Sequence, residues 1–85
     1  MAQLNHVDIL LFASLAEAAG TDRLAWEAPD GASVQDVIQW CVQAHPQLAG
    51  WETSMATAIN EAYVNRDHPV KRGDTLALIP PVSGG

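Results

Sequence analysis

At 85 residues the chain is sized for one small domain, one that buries roughly 60–65% of its unfolded surface and has no room for a separate catalytic cleft. Its 48% apolar content is normal for a globular fold and argues against disorder. Ten acidic and four basic side chains give a net charge of −6, which argues against nucleic-acid binding and suits either simple solubility or a basic protein partner.

The run from His6 to Phe12 (HVDILLF) reads as a first strand buried on much of both faces. Ser14 to Ala19 has helix-forming composition and stops at Gly20, a suitable cap for one or two turns. Arg23 to Ala28 alternates apolar and polar residues as a second strand, and Pro29-Asp30-Gly31 is a turn signal. Asp8 and Glu17 interrupt the apolar stretch from Val7 to Ala19, and no Lys or Arg precedes Arg23. This pattern speaks against a signal peptide or a membrane-spanning helix.

Ser33 opens the clearest helix, with Asp36 three residues on in place of the usual Glu or Gln of a capping box. Val34, Val37, Ile38, Cys41 and Val42 recur at helical spacing, opposite Gln35, Asp36, Gln39 and Gln43. Pro46 ends this helix, and residues 47–55 read as a loop with a helical turn. Cys41, the only cysteine, falls on the apolar face and reads as a buried inert thiol, so no intrachain disulfide is possible. A reducing cytoplasm is the expected compartment. His6, His45 and His68 lack metal-ligand spacing, and no metal or cofactor site is expected. His68 is expected to make a local hydrogen bond, and Trp26, Trp40 and Trp51 to lie in the core or at its edge.

Ala56–Asn60 and Ala62–Asn65 read as two strands around a tight turn at Asn60-Glu61. Further turns follow at Asp67-His68-Pro69 and Lys71–Asp74, before a last strand from Thr75 to Ile79. Alternation puts Leu76, Leu78 and Val64 inward, with Ala77, Ile79 and Tyr63 outward. The order of elements predicts an α+β roll, a mixed sheet wrapped on one helix in a β-grasp, with residues 1–85 as a single domain.

The chain closes on Ile79-Pro80-Pro81-Val82-Ser83-Gly84-Gly85. The prolines fix φ and remove two backbone donors, which stiffens a stem of roughly 20 Å for Pro80–Gly85. Glycine lacks a Cβ, so Gly84 and Gly85 can enter a narrow cleft. The pattern suits a terminus whose own carboxylate is the reacting group.

Leu11-Phe12-Ala13 with Ala16-Glu17, and Ala58 through Gly85 with Asp67-His68-Pro69, Gly73-Asp74 and the terminal PPVSGG, carry a resemblance over essentially the full length. The chain resembles the small subunits of molybdopterin synthase, ubiquitin-like sulfur carriers. The resemblance implies that an activating enzyme uses ATP to adenylate Gly85, and that a sulfur donor then converts the acyl-adenylate to a thiocarboxylate. The loaded tail would next enter the large synthase subunit and pass sulfur to a cyclic pyranopterin monophosphate, forming the molybdopterin dithiolene. It further implies that Gly84 allows threading, that Phe12, Tyr63 and Ile79 form an apolar docking patch, and that Pro80, Pro81, Val82 and Ser83 contact the partner. The chain itself would bind no cofactor; ATP belongs to the activating partner. Three other functions stay open: a carrier of the thiazole pathway, a ubiquitin-like modifier of protein lysines, and an interaction module without tail chemistry.

Overall fold

A computed structural model describes residues 3–81. Five strands and two helices follow in chain order: β1 (Leu4–Leu11), α1 (Ser14–Ala19), β2 (Arg23–Pro29), α2 (Val34–Ala44), β3 (Ala56–Ile59), β4 (Ala62–Tyr63) and β5 (Thr75–Ile79). A 3₁₀ segment, Pro46–Trp51, links α2 to β3. The sheet order is β2-β1-β5-β3-β4. Its central pair, β1 and β5, is parallel, and the other pairings are antiparallel. This is the expected α+β, ubiquitin-like β-grasp.

Helix α2 forms where the sequence expects it. The Ser33 hydroxyl accepts from the Asp36 backbone N–H at 3.3 Å, and the Asp36 carboxylate accepts from the Ser33 backbone N–H at 2.9 Å. Asp completes the box although its side chain is one methylene shorter than the usual Glu. Val34, Val37, Ile38 and Cys41 are buried against Val7, Ile9, Leu11, Leu76 and Leu78 of the sheet. Leu15 from α1 and Leu48 from the 3₁₀ segment close the ends of this core. Trp26 and Trp40 stack at its margin with ring centroids 5.5 Å apart, and both are half-buried, as Trp51 is.

Strand ends shift by one or two residues from the sequence reading, and three differences have a physical cause. Strand β1 buries one face only, because Val7, Ile9 and Leu11 point to the core while Asp8 and Leu10 are half-covered and Phe12 is exposed. A continuous apolar run had suggested burial on both faces, yet no layer covers the second one. Strand β4 ends at Tyr63 instead of Asn65, since the chain bends inward after it. Val64 still donates to the Thr57 carbonyl at 3.0 Å and accepts the Thr57 hydroxyl at 2.8 Å, which satisfies that buried side chain. The segment after Pro46 is a full 3₁₀ stretch, longer than the single turn expected.

Arg66 holds this last segment down. Its guanidinium donates to the carbonyls of Glu52 at 2.6 Å and Met55 at 2.9 Å, and to Gln35 Oε1 at 3.4 Å. Arg66→Ala leaves two partly buried carbonyls without their charged donor, so we expect a loss of about 2 kcal/mol. Urea unfolding checks this, and an unchanged midpoint would remove the clamp role.

Candidate functional site

The uncovered face of the sheet is where the expected site residues meet. Paired residues share a face, so the register Leu10↔Ala77, Ala77↔Ala58 and Ala58↔Tyr63 makes one outward row across four strands. Ile79, paired with Ala56, stands one step nearer the end of β5. Phe12 lies beside it, its backbone N–H donating to the Leu78 carbonyl at 3.3 Å. These side chains line a shallow groove, with Asn60, Glu61 and Thr75 at its far side.

Phe12 is 46% exposed and Tyr63 is 76% exposed, two of three large apolar side chains so placed among the described residues. Phe12 is presented by its neighbour. Ala13 takes φ 50° and ψ −122°, which turns the chain sharply from β1 into α1. Such a conformation is strained for a residue with a Cβ. Helix α1 then ends on Gly20, whose φ of 77° places its N–H on the Ala16 carbonyl at 2.9 Å.

The expected alternation of β5 holds: Leu76 and Leu78 are fully buried, whereas Ala77 and Ile79 face the groove half-covered. Tyr63 points outward and Val64 packs on the core. Pro80 is half-buried and Pro81 exposed, both just past the last ladder pair. Neither carries a backbone N–H, so the sheet cannot extend along them. Val82, Ser83, Gly84 and Gly85, the remaining tail residues of the sequence reading, lie outside the described residues. Ala77, expected to face outward, belongs to the groove, as do Leu10 and Ala58, which were not singled out from sequence. Parity along β1 would have found Leu10, had that strand been read as one-sided.

Other polar groups stand apart from this face or serve structure. Burial pushes the Cys41 thiol up to about 12, so it is an inert core group. His68 Nδ1 lies 2.8 Å from the Pro69 carbonyl, the local bond expected for it. Among the described residues no cluster of His, Cys, Asp or Glu is arranged to hold a metal. No helix among them is long and apolar enough to cross a membrane.

His6, on the exposed face of β1, lies between two carboxylates: Nδ1 is 2.5 Å from Glu27 and Nε2 is 3.2 Å from Asp8. Bonds to Glu27 first and Asp8 second raise its pKa above the ordinary 6.5. A raised folded value means that the pair stabilises fully below 6.5 and weakens as pH rises through the folded pKa. The urea midpoint should therefore decline on the alkaline side of 6.5, and His6→Gln should flatten that decline. An identical pH profile for the variant would discount the pair.

Comparison with known proteins bears on this face. The profile described as the ThiS family matches residues 9–85. A molybdopterin synthase sulfur carrier subunit of Chlamydomonas reinhardtii is 36% identical over 82 residues, covering 94% of this chain and 99% of the relative. The crystal structure of the small archaeal modifier protein 1 of H. volcanii superposes with a TM-score of 0.85 at 30% identity, covering 92% of this chain and 99% of that one. A chain of the complex of subunits 1 and 2 of molybdopterin-converting factor from Helicobacter pylori gives 0.67 at 25% identity, covering 94% and 99%.

Proposed function

The chain belongs to the ThiS family, and from that membership we propose that it is the sulfur carrier subunit of a molybdopterin synthase, with the Gly85 carboxylate as the group that carries sulfur. The observation that carries this reading is that Pro80 and Pro81 leave the sheet directly after Ile79, which lines an exposed apolar groove. A protein that grips Phe12, Tyr63 and Ile79 thereby receives the terminus in its own cleft. Near-full-length relatives named as molybdopterin synthase sulfur carrier subunits support the assignment.

The chemistry follows from what a carboxylate lacks. It is a poor acyl donor, with no good leaving group, so an activating enzyme first joins it to AMP from ATP, releasing pyrophosphate. Reduced sulfur from a donor then forms the C–S bond as the C–O bond to AMP breaks. The resulting thiocarboxylate is nucleophilic at sulfur and attacks a carbon of a cyclic pyranopterin monophosphate held by the large subunit. A C–S bond forms as the bond from that carbon to an oxygen substituent breaks, and the oxygen leaves protonated or as phosphate. Hydrolysis of the acyl–sulfur bond leaves sulfur on the pterin and restores the carboxylate. In this scheme Gly84 admits the tail to the cleft, and Pro80, Pro81, Val82 and Ser83 line it against the partner. The chain contributes the terminus and the docking face, while catalytic side chains belong to cytoplasmic partners.

Intact-mass spectrometry of the chain purified from cells with active sulfur-transfer machinery tests this. A shift equal to replacing one oxygen by sulfur, located at Gly85, is the expected result. An unshifted mass with ATP, activating enzyme and sulfur donor all supplied would overturn it. The likeness to a small archaeal modifier favours one second reading, attachment to protein lysines through the same terminus. Covalent conjugates of this chain in cell extracts would establish that role.

A further inference from the structure

The groove does not end at Phe12. A second depression continues across Leu10 and Phe12 to Ala13, Ala16, Asp22 and Arg23, at the opposite margin from Glu61. Arg23 pairs with Leu10 across β2 and β1, which sets it on the outward face at the end of the row Leu10, Ala77, Ala58, Tyr63. Four inter-strand spacings put the two ends of that five-strand row roughly 19 Å apart. Thr21 fixes the backbone there: its hydroxyl accepts from the Arg23 N–H at 3.3 Å and donates to the Arg23 carbonyl at 3.2 Å. The Asp22 carbonyl is held by the Leu11 N–H at 2.9 Å.

In a chain with ten acidic and four basic side chains, an arginine has many possible internal partners. Arg66 is committed to carbonyls, and Lys71 and Arg72 lie on the turn that leads into Thr75 at the groove's far side. The ion pairs within 4.0 Å among the described residues all involve His6, so neither Arg23 nor Glu61 is engaged in one.

Glu61 is odd for a separate reason. It occupies the second position of the β3–β4 turn with φ 73°, after Asn60 at 49°. A two-residue turn of this kind favours glycine at that position, and Glu strains it. Asn60 accounts for itself through bonds to Thr75 and Asp74. Glu61 makes no comparable side-chain bond among the described residues, so nothing within the fold offsets its strain. Strain retained beside a binding groove points outward.

We infer that Arg23 and Glu61 are specificity-determining residues of the docking face, a fixed positive and a fixed negative charge that orient one protein partner on the groove. The inference rests on the function proposed above. The partner carries a carboxylate opposite Arg23 and a cationic side chain opposite Glu61, flanking an apolar centre. With the tail exit as a third point not in line with the two charges, the arrangement admits one docking orientation. A terminus that must enter a cleft needs that constraint, since a rotated complex would direct it elsewhere. Arginine suits the role because its planar fork can take a carboxylate through two bonds.

The test measures binding of the full chain to the purified large subunit of molybdopterin synthase from the same organism. Arg23→Glu and Glu61→Lys should each weaken binding by about tenfold or more. Gln39→Glu combined with Gln43→Glu changes the net charge as Arg23→Glu does, but on the exposed side of α2 away from the groove, and should stay within about twofold. Glu61→Gly separates structure from docking: the chain should melt at a higher temperature yet bind less tightly. Groove-side reversals no worse than the paired Gln39→Glu and Gln43→Glu changes, while Phe12→Asp abolishes binding, would overturn the orienting role and leave the proposed function standing. Equal weakening by Arg23→Glu and by that helix pair, with tighter binding by Glu61→Lys, would also overturn it, as an effect of net charge alone. Intact binding by Phe12→Asp would reject the docking face itself, and this inference with it.

Discussion

A chain lacking Gly84 and Gly85 takes up no sulfur and supports no transfer, yet melts at the temperature of the intact protein. The first half of this expectation is chemical: without Gly85 the carboxylate sits two residues short of the activating centre. Misplacement by even one ångström costs a reaction about 10²-fold, and two residues amount to roughly 7 Å. The second half follows from the fold, whose last ladder pair is Ala56↔Ile79 and whose core ends at Leu78. Gly84→Val should act nearly as strongly with full length retained, because a β-branched side chain cannot follow glycine into a narrow cleft. Both variants are read by intact mass after incubation with ATP, activating enzyme and sulfur donor. Normal loading of Gly84→Val would reject the threading model, and normal transfer by the deletion would reject the carrier function.

Neighbouring residues of β5 should fail in opposite ways. Leu78 is fully buried, and Leu78→Ala is expected to cost about 2–5 kcal/mol. Against a typical total of about 5–15 kcal/mol that is a large fraction, equivalent to a fall of roughly 10–30 °C in Tm for a domain of this size. Ile79 is half-buried on the outward face, so Ile79→Ala should cost about 1 kcal/mol in stability but about tenfold or more in partner affinity. Thermal melts and binding titrations on the same two proteins decide the matter. Equal losses of stability would mean that Ile79 is simply core.

Local rules were enough for much of the architecture. The capping box at Ser33 and Asp36, the five-residue apolar stripe of α2, the Gly20 stop and the Asn60-Glu61 turn are each decided by contacts within a few residues. So is the alternation along β5, which placed Ala77 and Ile79, and along β4 into Val64, which placed Tyr63 and Val64, on their observed faces. The misreading of β1 has a different origin. Its run of apolar residues is compatible with burial on one face or two, and only the packing of other elements separates the cases. Here α1, α2 and the 3₁₀ segment pack their buried residues into one core. Leu10 and Phe12 are consequently left on the uncovered face, where they line the groove.

The tail chemistry proposed above rests on the sequence, because a reacting terminus needs a particular covalent end and PPVSGG supplies one residue by residue. Composition and spacing did not gather the surroundings of the tail, of which the family resemblance named Phe12, Tyr63 and Ile79. Phe12, Ala58, Tyr63 and Ile79 come from four segments up to 67 positions apart, and their meeting depends on β5 inserting between β1 and β3. Arg23 and Glu61 carry no local sign of membership in the same face: one opens an edge strand, the other occupies a hairpin turn. Short-range spacing therefore dictated the helices and turns of this chain and supplies the end proposed to react. The groove, and the places of Arg23 and Glu61 at its margins, arose only from long-range strand order and register, which set distant residues side by side and which no window of sequence contains.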